Sequence, residues 1–496
     1  MELPFEKRQE KFWQQKSYAP VTREESQECK LPESMPDVGR VIAAWGQAVL
    51  RGKEWRSGHI GLSGGVMVWV LYAPEDGSGP RRLESWVPFH FRMDHSHDGE
   101  DGVIRAECVL CSVDARSIST RKLMLRCQIG VMVQTLVPRT AELCSPGELP
   151  EDIQVLDRVY PMILTRETGE KSFLADEQLP LPQGTPRLNR ILYSRLQPRV
   201  TEQKVLGSRA VFRGVGELHL LAQDEGEKLY SLDLEVPLAQ YLDLEGDYDD
   251  GTEVSNLLCV TSLEAEPDEG GIRVRCGMVS QYIINAPTVV KCLEDAYSTQ
   301  RQLELQRQEV ILPAWLDEQV RMIELGERLA GDEVPVDAIF FPDLPQVKCQ
   351  QGVAEIRCGG SFQTLSEAPD GSLHGRQLRA VQTEQQLTDC DTIPCTWLRG
   401  GTSLRRDGGG WAMEQRTELK LDSISTKPLG QICGIQAGER ITPDPDRPSV
   451  IIRPIKAEET LWDIAKYCGS TVSAIQRLNR LEQEPEENRL LLIPVI

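Results

Sequence analysis

A glycine-led β pattern occurs three times along this chain and limits the folds open to it. Residues 61–88 hold a glycine-rich entry, an apolar run, a turn at 74–77 and a returning apolar run. Residues 212–237 follow the same order, and residues 358–372 end in a turn that nearly repeats that of the first copy. Turns of Pro, acidic residues and Gly between apolar runs are typical of hairpins. Three copies indicate repeated β units.

A second, longer hairpin follows the first in two of the copies. It covers residues 104–133 in the first copy and residues 257–283 in the second, with apolar side chains alternating onto one face. We therefore predict a mainly β fold, in which each repeat is an antiparallel β-sandwich or partly open barrel of about 100 residues.

The segment between the second and third copies has a different pattern. Residues 293–330 are charged, show a helical period and are broken at Pro313, which favours a helical spacer or a part of a repeat's packing. The expected segments are an N-terminal extension (1–36), a first β repeat (37–140), a connector (141–193), a second repeat (194–290), the helical spacer (291–332), a degenerate third repeat (333–430), a linker (431–446) and a C-terminal domain (447–496).

The last fifty residues carry a compact pattern of their own. A β-branched run at 450–455 precedes Thr460, whose hydroxyl lies three residues ahead of Asp463 as in a capping box. The following apolar spacing and Gly469 predict a helix of about two turns, and residues 471–478 predict a second helix with Val472, Ile475 and Leu478 on its buried face. The apolar run 490–494 closes a βααβ unit, which is too small to be more than a binding module.

This terminal pattern resembles the LysM family. The resemblance rests on Thr460-Leu461-Trp462-Asp463-Ile464-Ala465, on Asn479 and on Leu492-Ile493-Pro494. It implies binding of N-acetylglucosamine polymers in a shallow groove between the loop after the first strand and the loop before the second. The groove residues that it implies here are Lys456, Glu458, Glu459, Thr460, Leu461, Trp462, Asn479, Leu481, Asn488 and Leu490.

Both groove loops depart from the family pattern. Glu458-Glu459 replaces the usual Gly-Asp, and residues 482–488 lack the common glycine, whose absence restricts φ and adds a side chain near the ligand. The acidic loops would repel an anionic wall polymer, although salt would screen much of this; alternatively they are merely solvated charges. Trp462 is either a partner contact or a core residue that holds the first helix.

The repeats resemble the spore-coat assembly domain, SPOCS, over most of residues 37–430. The residues that carry this are the strand 64–73, Val87-Pro88-Phe89 and Val113-Asp114-Ala115-Arg116. SPOCS repeats followed by LysM imply a mother-cell adaptor whose LysM domain binds a coat morphogenetic protein, a SpoIVA-like ATPase, at the forespore surface. Other coat proteins, or a second copy of the chain, would bind the repeats.

The net charge and the N-terminal residues limit the possible partners and the cellular compartment. The formal charge of −21 argues against a nucleic-acid or anionic-membrane surface. Residues 1–8 lack the apolar region of a secretory signal, and no apolar stretch of transmembrane length occurs, which predicts a cytoplasmic protein without membrane insertion. In that compartment we expect the 14 cysteines to be thiols.

Two motifs bear on catalysis. Residues 61–65 match Gly-x-Ser-x-Gly, but that motif needs a strand before it and a helix after it, and a β pattern follows here. No phosphate-binding Gly-x-x-x-x-Gly-Lys-Ser/Thr loop occurs, so this chain should not itself be the nucleotide-driven polymerase. We expect no enzymatic activity and no cofactor.

Two clusters could ligate a metal. His90, His95 and His97 lie in a polar stretch, which we interpret as a loop rather than a site because no residue pattern provides a second shell. Cys108 and Cys111 have zinc-ribbon spacing but form a single pair inside a predicted strand. Two functional hypotheses remain: a non-catalytic assembly adaptor, and a peptidoglycan-binding protein of the cell wall or spore cortex.

Overall fold

The fold is mainly β, as predicted, with two short helices near the C-terminus. The computed structural model describes residues 3–56, 58–94, 102–387, 393–442, 447–457, 459–481, 483, 485 and 488–496. All strand pairs within this part of the chain are antiparallel.

The first unit has six strands in two sheets. They are β1 (Phe5–Lys30), β2 (Val38–Arg56), β3 (His59–Pro74), β4 (Arg81–Asp94), β5 (Val103–Ser119) and β6 (Lys122–Pro146). The sheet orders are β1-β6-β5 and β2-β3-β4. The glycine pair in β3 has a packing reason, because a Cβ on Gly65 would lie 2.2 Å from the Trp86 ring and one on Gly64 would lie 2.2 Å from the Val49 carbonyl oxygen.

The second unit repeats this plan with five strands. They are β7 (Ile153–Leu179), β8 (Leu188–Asp224), β9 (Leu229–Tyr248), β10 (Glu253–Asp268) and β11 (Gly271–Ser298). The sheet orders are β7-β11-β10 and β8-β9. The single long strand β8 corresponds to both β2 and β3 of the first unit. Only its second half pairs with β9.

The third unit follows the same plan with one added strand. Its strands are β12 (Arg301–Ala330), β13 (Val334–Pro342), β14 (Gln346–Gln350), β15 (Val353–Glu367), β16 (Leu373–Leu387), β17 (Cys395–Asp407) and β18 (Gly410–Arg440). One sheet has the order β12-β18-β17, and β15 pairs with β13, β14 and β16 in the other. The predicted turn of this unit is present. Gly371 has φ 80° there, similar to the φ of 72° at Gly77 in the corresponding turn of the first unit.

The helical spacer predicted over 291–332 is wrong, and the alternative, that the segment is part of a repeat's packing, is what the structure shows. The segment completes β11 and forms β12, which pairs along its length with β18 from Arg301↔Arg440 to Ala330↔Gly410. Leu303 and Leu305 alternate with exposed polar neighbours, and Pro313 is tolerated because β12 lies at a sheet edge. The partner strand lies about a hundred residues downstream, so local periodicity could not reveal the pairing.

The first strand of each unit pairs with its last strand, which makes each unit longer than the predicted repeat. β1 lies in the predicted N-terminal extension and pairs with β6, while β7 lies in the predicted connector and pairs with β11. The end of β18 likewise extends into the predicted linker. These long strands also contact one another across the units, in one cluster of the buried residues Leu143, Leu164, Cys292, Leu312 and Leu429.

The main core crosses from the first unit into the second. Tyr193 of β8 stacks on Trp45 of β2, with ring centroids 5.0 Å apart and planes at 4°. Both rings are almost fully buried, so the units share one apolar core at this contact.

The C-terminal domain has the predicted βααβ order. Its elements are β19 (Val450–Pro454), α1 (Leu461–Cys468), α2 (Val472–Asn479) and β20 (Leu490–Pro494). β19 pairs with β20, and both helices cover one face of this small sheet around buried Leu461, Ile464 and Leu491.

Candidate functional site

Helix α1 begins and ends where the sequence predicts. The Thr460 hydroxyl accepts a hydrogen bond from the Asp463 amide at 3.2 Å, and the Asp463 carboxylate accepts one from the Thr460 amide at 3.0 Å. This reciprocal capping box fixes the loop that leads into the helix. Gly469 ends α1 in the left-handed conformation, at φ 63°.

Helix α2 is capped as predicted but buries a narrower face. Thr471 accepts a hydrogen bond from the Ala474 amide at 3.1 Å, and Ile475 is fully buried. Val472 packs against the core, whereas Leu478 is 43% exposed, so its predicted burial is wrong. The small domain has too little core to cover it.

Asn479, an expected groove residue, links α2 to β20. Its side-chain amide donates to the carbonyls of Ile475 at 2.8 Å and Leu492 at 2.6 Å, and its carbonyl oxygen accepts from the Leu492 amide at 2.8 Å. The side chain thereby satisfies both backbone groups of Leu492. We conclude that Asn479 has a structural role in this domain.

The two groove loops lie side by side. The Ile455 amide donates to the Arg489 carbonyl at 3.1 Å, and the Asn488 amide donates to the Ile455 carbonyl at 3.0 Å. Asn488 adopts φ 63°, in the left-handed region that glycine favours and that asparagine tolerates. The loop that lacks the family glycine therefore takes the left-handed conformation at an asparagine.

Glu459 does not present a free charge to the groove. Its carboxylate accepts hydrogen bonds from the Arg453 guanidinium and, at 3.2 Å, from the Lys456 amide. Glu458 and the four glutamates at 482, 484, 486 and 487 lie outside the described residues.

Of the other expected groove residues, some are buried in the domain and some are exposed to solvent. Leu461 is fully buried and Leu481 packs against the same core. Lys456, Asn488 and Leu490 are open to solvent, Leu490 by 67%. The exposed part of the groove is thus a lysine, an asparagine and a leucine around the capped Thr460.

Trp462 holds the domain against the β units. Its indole N–H donates to Asp295 Oδ2 at 2.9 Å, and its ring meets the Tyr297 ring edge to face at 4.8 Å. Both partners belong to β11. Neither of the two hypotheses for Trp462 anticipated this docking contact.

Asp295 gathers three donors at the docking contact. Besides Trp462, Lys466 of α1 lies 2.6 Å from Oδ2, and Arg307 of β12 lies 3.2 Å from Oδ1. Burial disfavours the charged carboxylate, but the bonds from Lys466 and Trp462 outweigh it, so the pKa of Asp295 is lowered. Sequence reasoning missed Asp295 because it fell within the presumed helical spacer.

Tyr297 completes the contact between the domain and the β units. Its hydroxyl donates to the Ser470 carbonyl at 2.9 Å, between α1 and α2. Burial raises the pKa of this phenol to about 12. With 6% exposure, Tyr297 is part of the domain's own core.

The face of the small sheet opposite the helices is apolar and open. Val450, Ile452, Leu490 and Leu492 are 45%, 65%, 67% and 39% exposed, and Ile452 lies directly across from Leu492. Only the alternate residues Leu491 and Ile493 are buried under the helices. The unbroken apolar run 490–493 was the sequence signal for this aliphatic face, because a sheet covered on one side needs only every second residue to be apolar.

The sequence motifs with possible chemistry have structural positions. Residues 61–65 lie inside β3 and form no strand-turn-helix elbow. All cysteines among the described residues are free thiols, and burial raises the pKa of Cys111 to about 12 and that of Cys108 well above its ordinary value. Thiols in this state are weak nucleophiles.

Most of the histidines considered as metal ligands lie outside the described residues. His90 lies exposed on β4, and His95 and His97 are not among the residues that the structure describes. Within the described ranges, no group of three His, Cys, Asp or Glu side chains is placed to hold a metal ion.

These features define a small βααβ domain attached to a three-unit β-protein. The LysM domain family matches residues 455–484, which include both helices and part of each groove loop. A LysM domain suggests binding of peptidoglycan or a related carbohydrate. No curated protein matches the chain. Among the described helices, none is long and apolar enough to cross a membrane.

Proposed function

We propose that this chain is a non-catalytic assembly adaptor whose LysM domain binds a protein. The aliphatic face of Val450, Ile452, Leu490 and Leu492 supports this most directly. Exposed aliphatic side chains that adjoin one another are characteristic of protein contacts, whereas isolated ones need no explanation. Leu490 belongs to both this face and the groove, so one partner can contact both surfaces.

The partner that we propose is a coat morphogenetic protein, a SpoIVA-like ATPase. This follows from the resemblance of the β units to SPOCS repeats and of the whole arrangement to SpoIVA-interacting protein L. The adaptor would then act in the mother-cell cytoplasm and be recruited to the forespore surface. Its β units would bind other coat proteins or a second copy.

Binding of an N-acetylglucosamine polymer is the second candidate. The family match favours it, and so does Asn488, which takes a left-handed backbone conformation in the loop that lacks the glycine. The ion pair between Arg453 and Glu459 also removes one carboxylate that would repel an anionic wall polymer.

Two surface variants of the full chain separate the candidates. Ile452→Ser with Leu492→Ser changes the aliphatic face, and Lys456→Ala changes the groove. Tyr467→Ser is the matched control, since Tyr467 is 84% exposed on α1, which covers the other face of the sheet. Binding is measured to the purified ATPase and to N-acetylglucosamine oligomers.

We expect the Ile452/Leu492 variant to weaken ATPase binding by at least about tenfold, the effect of losing roughly 1.4 kcal/mol. The Tyr467 control should bind normally. Binding of the oligomer without the ATPase, with loss on Lys456→Ala, would instead establish the second candidate and exclude the adaptor proposal.

A further inference from the structure

The third β unit differs from the others where the two sheets of a unit meet. β2 lies alongside β5 in the first unit, and β8 lies alongside β10 in the second. In the third unit β13 and β17 approach each other only locally. We call the line along which these two strands meet the seam of a unit. The seam of the third unit is therefore open.

A cleft of about 950 Å³ occupies this open seam. Strands of all three units form its wall, including Leu110 of β5, Leu196 of β8, Leu258 of β10, Ile339 of β13 and Thr402 of β17. Its volume lies at the upper end of the range of roughly 300–1,000 Å³ for ligand pockets.

The last strand of the third unit explains why polar groups line part of this cleft. The eighth residue of each final strand is Ile129 in β6, Met278 in β11 and Thr417 in β18, and all three are buried. Gln415, two residues before Thr417, accepts a hydrogen bond from Thr402 at 2.6 Å and also lines the cleft. Polar groups thus replace the apolar filling of the other units.

The edge of β17 is accessible in the cleft. Among the described strands β17 pairs only with β18, so its other edge carries no strand. Gly401 lies on this stretch, and a Cβ added to it would meet no atom within 4 Å. Packing within the chain therefore does not require glycine at this position, and the absence of a side chain leaves room for a partner backbone to approach closely.

One carboxylate on the cleft wall is uncompensated. Glu107 of β5 forms no hydrogen bond or ion pair with the described residues, and Arg105 on the same strand donates to Ser255 and Gln134 instead. Burial raises the pKa of Glu107 to about 7, with Arg105 opposing this. Glu107 is only partly exposed, and a carboxylate without a partner in such a position is stabilised when a cation is supplied.

The remaining charges of the wall are mostly paired within the chain. His219 lies 2.6 Å from Asp233 and 2.9 Å from Asp337, while Arg416 pairs with Glu324 at 3.1 Å. Glu235 is exposed at the mouth, on the same face of β9 as Asp233. Among the described charges of the wall without an ion-pair partner, Glu107 and Glu235 are negative. Arg195 is positive, but it donates to the Phe340 carbonyl at 2.6 Å and lies over the Phe341 ring, so the unpaired charge of the wall is on balance negative.

We propose that this cleft receives an extended peptide segment of a partner protein, which pairs with the free edge of β17 and places a lysine or arginine against Glu107. Strand addition supplies backbone hydrogen bonds, and the neighbouring pocket selects the side chain. This site is separate from the LysM domain and does not depend on what that domain binds.

Selection from a displayed library of random hexapeptides on the full chain tests the proposal. Three variants accompany the wild type: Glu107→Gln removes the charge, Gly401→Val blocks the β17 edge, and Gly430→Val is the control for a valine on a strand. A Cβ on Gly430 likewise meets no atom within 4 Å, and Gly430 does not line the cleft. Circular dichroism establishes that each variant is folded.

We expect enriched peptides to carry one lysine or arginine among β-branched residues. Their affinity should fall at least tenfold in Glu107→Gln, which should also lose the preference for a cation. Gly401→Val should bind none of them and Gly430→Val should bind normally. If Gly401→Val does not fold, Gly401→Ala, with a smaller side chain, replaces it.

Failure to enrich any peptide would overturn the proposal, as would enrichment that survives both cleft variants. Free spermidine that binds as tightly as the selected peptides would also overturn it, because the β17 edge would then have no role. None of these results alters binding through the LysM domain, so failure of the cleft proposal is distinguishable from failure of the adaptor proposal.

Discussion

The indole of Trp462 meets the phenol of Tyr297 edge to face, with ring centroids 4.8 Å apart and planes at 70°. Tyr297 belongs to a β strand of the second unit, and Trp462 to the first helix of the LysM domain. With the bond from Trp462 to Asp295, this pair holds the domain in one orientation against the β units.

Replacing Trp462 should release the LysM domain without unfolding the β units. Trp462→Ala removes an aromatic pair worth about 1 kcal/mol and a hydrogen bond to a charged group worth about 2 kcal/mol. We expect faster amide hydrogen exchange in residues 461–468 and in 295–298. Tyr467→Ala on the same helix is the control, since its ring is 84% exposed. Equal exchange in both variants would contradict a docking role for Trp462.

Asn479→Ala should destabilise the LysM domain selectively. The change leaves the Leu492 amide and carbonyl without their side-chain partner, at a cost of about 2 kcal/mol. Hydrogen exchange of the Leu490–Pro494 strand should accelerate, while exchange in the β units stays unchanged. Asn488→Gly serves as the comparison, because glycine adopts the φ of 63° at that position without strain. An Asn479→Ala domain as stable as the wild type would contradict a structural role for the asparagine.

The stability of the β units should fall as the pH rises towards the pKa of His219. Burial lowers the pKa of His219, but Asp337 and Asp233 outweigh it and raise the pKa to about 10. A histidine whose pKa is higher in the folded state than its unfolded value of about 6.5 stabilises the folded state. The full contribution is present below about pH 6.5. This contribution is lost between about pH 6.5 and 10.

Denaturant unfolding of wild type and His219→Gln across this range measures the effect. The variant should be less stable by on the order of 3 kcal/mol at pH 6, since it leaves buried Asp337 without its cation, and the difference should shrink towards pH 10. A difference that does not change with pH would show that His219 is uncharged in the folded protein.

Local sequence signals predicted those parts of the fold that depend on neighbouring residues. Thr460 and Asp463 predicted the start of the first helix, Gly469 its end, and the Asp-Gly turns their hairpins. These features involve residues a few positions apart, so their chemistry is visible in a short window. The candidate groove was predicted in the same way, and its role in binding stays a prediction. Within it, Asn479 makes structural hydrogen bonds and Trp462 contacts the β units.

The larger features that sequence reasoning missed depend on distant partners. Residues 301–330 form a strand because β18 pairs with them, and their helical charge pattern did not decide the outcome. Asp295 and Tyr297 acquire their role only when the LysM domain, about 170 residues later, lies against them. The cleft likewise exists only where three units meet.

The sequence by itself determined the β composition, the repeated hairpins and the LysM pattern, because these follow from alternation, turn residues and helix caps. Tertiary structure alone decided which strands close each unit, where the LysM domain docks and which seam stays open. Pairing across a hundred or more residues is set by the mutual burial of whole faces, and no short stretch of sequence contains that information.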